Sequence, residues 1–137
     1  MPGQPDYVNL NIDTTPVAAF DLDGIPSDHI ISRSKGVTLK TTIKLGGSLM
    51  GLFGGQKYVT YFYAESLGPG GNVLLYQTAP TAFPTVPPPT TDVTTPMLKG
   101  AGLLAPDGLY RLTTVTTLTT AQCTAFATTG SVIEIAF

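Results

Sequence analysis

The sequence predicts an all-β domain: an antiparallel β-sandwich of immunoglobulin-like or related Greek-key type, with a jelly roll or small β-barrel as the alternative. Three observations predict it. Threonine, whose branched side chain suits pleated half-buried positions, occurs 22 times in 137 residues, beside 15 glycines and 12 prolines that punctuate turns. Short segments of period-two alternation recur between turn-forming clusters. No segment carries an apolar stripe of helical period over the length of a helix.

Residues 1–6, MPGQPD, read as an extended arm. In YVNLNID (7–13), Val8, Leu10 and Ile12 alternate with Asn9 and Asn11, the signature of a half-buried strand. VAAFDLD (17–23) is a second short strand, with Ala18, Phe20 and Leu22 expected inward, and GIPSD (24–28) is a turn. HIISR (29–33) is a brief strand. The clearest strand spans 37–45: Val37, Leu39, Thr41, Ile43 and Leu45 form one face and Thr38, Lys40, Thr42 and Lys44 the other. KYVTYFYAES (57–66) is apolar on both faces and so belongs at the centre of a sheet. LGPGGN turns the chain into NVLLYQT (72–78). Residues 79–96 hold six of the twelve prolines, which lack ladder donors, so they are expected to form a proline-rich arm or loop on the domain or on a neighbour. MLKGAGLLAPDG (97–108) is read as a short helical turn and a Pro106-Asp107-Gly108 turn, followed by a long strand over 109–120. AQCTAFATTG is ambiguous, and SVIEIAF (131–137) is a closing strand. With no break in composition, residues 1–137 are expected to be one domain.

Charged residues make up only 12% of the chain, about half the usual share. A net charge of -2 supplies no clustered positive field for nucleic acid. The charges are ordered along the chain: Asp6, Asp13, Asp21, Asp23 and Asp28 precede Arg33, Lys35, Lys40, Lys44 and Lys57. Cross-strand pairing within one sheet is the favoured reading, and attraction between copies the second. The single Cys123 and single His29 supply neither an intrachain disulfide nor a conventional zinc site, so no cofactor is expected. The first residues have no secretory pattern and no run reaches transmembrane length, so the expected place is the cytoplasm, a virion or another assembly.

VAAFDLDG resembles the first motif of the haloacid dehalogenase-like phosphatases, an apolar strand ending in Asp-x-Asp-Gly. The resemblance covers eight residues. It implies Asp21 as nucleophile and Asp23 as acid/base beside Mg²⁺. Ile25-Pro26 follow where that family usually has Thr or Val after the glycine, and its parallel α/β sheet needs helices this pattern lacks. The same acids, Asp21, Asp23 and Asp28, are also weak calcium candidates at a loop, against solvated turn carboxylates. Tyr58, Tyr61 and Tyr63 raise carbohydrate stacking, with at least one of them assigned to the core.

GGSLMGLFGG (46–55) has the glycine spacing of a phosphate loop, but Leu52 and Phe53 stand where Lys and Ser/Thr are required. Its apolar side chains need cover from the chain's own core first, a partner copy second and a membrane third. Leu49, Met50, Leu52 and Phe53, with Phe83 and Val86 of the proline-rich segment, are therefore the candidate assembly contacts. The function expected from these features is a noncatalytic structural or interaction module, not an enzyme. It would self-associate or dock on other proteins in a viral or phage shell, a filament or a bacterial assembly. A ligand-binding sandwich for calcium with lipid or for carbohydrate is the alternative, and the phosphatase a distant third.

Overall fold

The structure, a computed structural model, describes residues 11–20, 30–47, 50–68, 71–118, 124–128 and 133–136. They form an all-β fold of two mainly antiparallel sheets around one shared core. The first sheet is organised by β4 (Thr38–Gly46), with β1 (Asn11–Thr14) and β2 (Ala18–Phe20) along one edge and β8 (Thr90–Thr94) along the other. The alternation predicted for 37–45 is observed: Val37, Leu39, Thr41, Ile43 and Leu45 are buried, while Lys44 is exposed.

The second sheet is centred on β5 (Lys57–Ser66) and β9 (Gly108–Leu118), paired from Tyr58↔Leu118 to Ser66↔Tyr110. β6 (Val73–Gln77) and β7 (Thr81–Ala82) line the free edge of β5. β10 (Thr124–Thr128) and β11 (Ile133–Ala136) line that of β9. β3 (Ile30–Ser32) adds to β11 as a parallel pair, a departure from the all-antiparallel expectation.

Two sequence expectations are corrected. Along β1 and β2 the inward set is Ile12, Thr14, Val17 and Ala19, not Ala18 and Phe20. From Thr14↔Ile43 to Ala18↔Lys40, four steps on one strand oppose three on the other, so one extra residue is inserted. Such a bulge reverses the side-chain parity, and it falls at Pro16, which cannot donate to a ladder. Leu22 lies outside the described residues.

The proline-rich segment is the second. It contains β7 and β8 rather than forming only an arm or loop, and Thr41↔Val93 places β8 in register with β4. Pro87–Pro89 and Pro96 bracket β8 instead of interrupting it, and the four threonines and one valine of 90–95 that flank Asp92 are β-branched. The Thr-rich face of β9 has also gone inward. Thr114 and Thr116 are fully buried, and the Thr116 hydroxyl lies 2.8 Å from that of Thr60.

The described end of the glycine-rich stretch, residues 50–55, turns the chain into β5. Met50–Phe53 form a 3-10 turn, Gln56 N–H donates to Phe53 O, and Gly55 N–H donates to Phe83 O. A Cβ on Gly54 would lie 2.1 Å from the Thr85 carbonyl oxygen, so the backbone there passes where only glycine fits. Gly54→Ala is expected to cost about 2–3 kcal/mol, read as a lower urea midpoint with unchanged slope. A variant of wild-type stability would show that the two segments separate readily.

Candidate functional site

The candidate site lies where β5 ends and β9 begins. Leu67 N–H donates to Leu109 O at 3.1 Å, continuing the β5–β9 pairing one step past the strand end. Opposite, the chain passes a 3-10 turn at Gly100–Gly102 and a loop that buries Leu103 and Ala105 while exposing Leu104. Arg33, directly after β3, clamps this loop. Its guanidinium donates to the carbonyls of Leu103 and Ala105 and to Asp107 Oδ1, at 2.9 Å from Nη2 and 3.2 Å from Nε. Gly100 N–H donates to Arg33 O at 2.8 Å. From the strand side, the Tyr110 hydroxyl donates to Pro106 O. A planar donor fork suits this task, because it holds several acceptors in one fixed geometry.

Between residues 66–68 and 106–110 is an open cleft of about 360 Å³. Leu67, Pro106, Leu109 and Tyr110 supply its apolar wall. Its polar groups already have partners: Asp107 Oδ1 takes Arg33, and Ser66 Oγ accepts the Gly68 N–H. The cleft therefore offers apolar surface framed by polar groups that hold partners within the chain. Sequence reasoning misses it, since LGPGGN and PDG carry the composition of plain turns. Their one signal is a leucine on each, Leu67 and Leu109, kept 44% and 53% exposed beside glycine.

The residues singled out from sequence lie elsewhere. Phe53 and Phe83 are core residues, in edge contact at a centroid distance of 6.2 Å, so they are not surface contacts in this fold. Leu52 and Val86 are exposed. Met50 belongs to the 3-10 turn. Leu49, Asp21, Asp23, Asp28, His29 and Cys123 lie outside the described residues. Among the described residues, no three His, Cys, Asp or Glu come together as metal ligands. Tyr58 faces the core against Phe83, and burial raises its pKa above 10.0. Tyr61 and Tyr63 stack on the outer face, 6.3 Å apart.

Of the acid-then-base order, Asp13 and Lys44 are cross-strand neighbours, while Asp6, Asp21, Asp23 and Asp28 lie outside the described residues. On β8, the Thr42 hydroxyl donates to Asp92 at 2.7 Å, and Lys40 lies 3.4 Å away. The Thr42 bond holds the Asp92 carboxyl below its usual value; desolvation opposes it, and the Lys40 charge adds a lesser lowering. Among the described residues no helix is long and apolar enough to cross a membrane.

No protein-family model matches the chain, and no curated protein matches it. Among solved structures it is similar to a lysine-for-threonine variant of the superoxide reductase (neelaredoxin) from Ignicoccus hospitalis, at 12% identity and a TM-score of 0.42 over 90% of this chain and 82% of that one. A superoxide reductase (neelaredoxin) from Ignicoccus hospitalis is likewise similar at 13% identity and a TM-score of 0.42, over 89% of this chain and 81% of that one. The expectation of a noncatalytic assembly module is corrected, because two of the side chains that carried it, Phe53 and Phe83, are buried in the chain's own core. A likeness of this size transfers no activity, substrate or metal to this chain. The phosphatase resemblance is set aside as well, because an all-β fold of mainly antiparallel sheets replaces the parallel α/β sheet it requires.

Proposed function

We propose that the chain binds a small, mainly apolar molecule in the cleft between residues 66–68 and 106–110. The observation that carries this reading is the cleft itself: about 360 Å³, walled by Leu67, Pro106, Leu109 and Tyr110. That volume lies within the range of small-molecule sites, which combine apolar walls with a few fixed polar groups. The wall is also held before any ligand arrives. Arg33 fixes the loop from one side and Tyr110 from the other, so little conformational freedom is lost on binding.

Titration with 1-hexanol, followed by amide chemical shifts, tests the reading. Saturable shifts are expected at residues 66–68 and 106–110. Leu109→Asp is expected to weaken binding at least about tenfold, since a buried methylene contributes about 0.8 kcal/mol and an unpaired carboxylate resists desolvation. Its stability should stay within about 0.5 kcal/mol of wild type, because the side chain is 53% exposed. Shifts that do not saturate, or an unchanged affinity in Leu109→Asp, would remove the cleft as the site.

A further inference from the structure

The cleft wall carries a carboxylate that is only half engaged. Asp107 is a lining residue, and Arg33 donates to it twice, from Nε at 3.2 Å and from Nη2 at 2.9 Å. Both bonds end on Oδ1. Oδ2 accepts from none of the described residues, and the side chain is 40% exposed. The other lining side chains with polar atoms are Ser66 and Tyr110. The Tyr110 hydroxyl gives its hydrogen to Pro106 O, and Ser66 Oγ accepts the Gly68 N–H. Asp107 Oδ2 is therefore the charged acceptor left unspent at the cleft. Two bonds onto one oxygen fix the carboxylate, so the other oxygen keeps a set place. The guanidinium also offsets the carboxylate charge. What remains at Oδ2 is a demand for a hydrogen more than for a positive charge.

We propose that the ligand is a neutral hydrogen-bond donor on a short apolar chain, an alcohol or a primary amide, whose O–H or N–H donates to Asp107 Oδ2. The inference rests on the reading of the cleft as a binding site and adds the class of molecule. The chain is covered by the apolar wall of Leu67, Pro106 and Leu109. A carboxylate ligand would set a like charge against Oδ2. A ketone or an ether would bring a second acceptor to it, with no hydrogen to share.

Two isomers, 1-hexanol and methyl pentyl ether, separate the two claims. They hold the same atoms, and only the alcohol donates. In the wild type 1-hexanol is expected to bind about fivefold or more tightly, the size of one hydrogen bond to a charged acceptor that stays partly open to water. The Asp107 Cγ resonance should move with the alcohol and stay in place with the ether. In Asp107→Asn the Arg33 fork keeps the amide oxygen on its own side and leaves the NH2 group at the cleft, where it donates to either isomer. The two affinities should then come within about twofold of each other. Equal affinities in the wild type, a preference that survives Asp107→Asn, or a Cγ resonance indifferent to the alcohol would overturn the donor and leave the cleft in place. Absence of saturable binding by both isomers in the wild type would overturn the cleft reading beneath it. Should Asp107→Asn fail to fold, the wild-type isomer pair and the Cγ resonance decide alone.

Discussion

Phe83→Ala is expected to lower folding stability by about 3–5 kcal/mol, read as a large fall in the urea midpoint. Phe83 is 2% exposed, and its ring lies 4.5 Å from Tyr58 and 6.2 Å from Phe53 by centroid. The site is poorly able to collapse around the missing ring. Phe83 N–H donates to Gln56 O, and Phe83 O accepts the Gly55 N–H, so the backbone is pinned at both ends of the residue. A cavity that cannot close keeps its full cost. Val86→Ala, three residues on and 84% exposed, should change stability by no more than about 0.5 kcal/mol. Equal effects of the two substitutions would contradict the placement of this proline-rich segment.

Arg33→Ala is expected to cost about 2–4 kcal/mol and to release the loop over 100–107. The side chain is 15% exposed and serves the carbonyls of Leu103 and Ala105, two residues that are themselves buried. Removing the fork leaves those acceptors without a donor, and a buried unsatisfied acceptor costs more than the bond it loses. Amide hydrogen exchange should accelerate in the loop well before it does in β5 and β9. Arg33→Lys should restore only part of the loss, since one ammonium cannot reach three acceptors in a fixed plane. Both variants should weaken 1-hexanol binding, because the loop forms one wall of the cleft. Uniform exchange across the chain, or full rescue by lysine, would count against the clamp.

The parts of the fold that follow from local pattern were legible. β4 alternates in the sequence as it does in the structure, and β5 reads as a central strand because both its faces are apolar. Less legible were the places where one residue changes parity. The extra residue beside Pro16 turns Val17 inward and Ala18 outward, and only the pairing with β4 reveals it. The sequence does not say which threonines of β9 face inward: Thr114 and Thr116 are fully buried, and Thr116 meets the hydroxyl of Thr60, 56 residues away, at 2.8 Å.

The threonine content, the turn punctuation and the strand periodicity are properties read along the chain, and they determined the all-β class and most of the strands. The site was decided by the tertiary structure. Arg33 meets Asp107 across 74 residues, and the cleft joins a turn at 66–68 to one at 106–110. Each piece alone is an ordinary turn with an exposed leucine. A cleft exists only once long-range strand pairing sets the two turns side by side and Arg33 holds the second in place. No local pattern carries that information, because the free energy that creates it comes from contacts between distant segments.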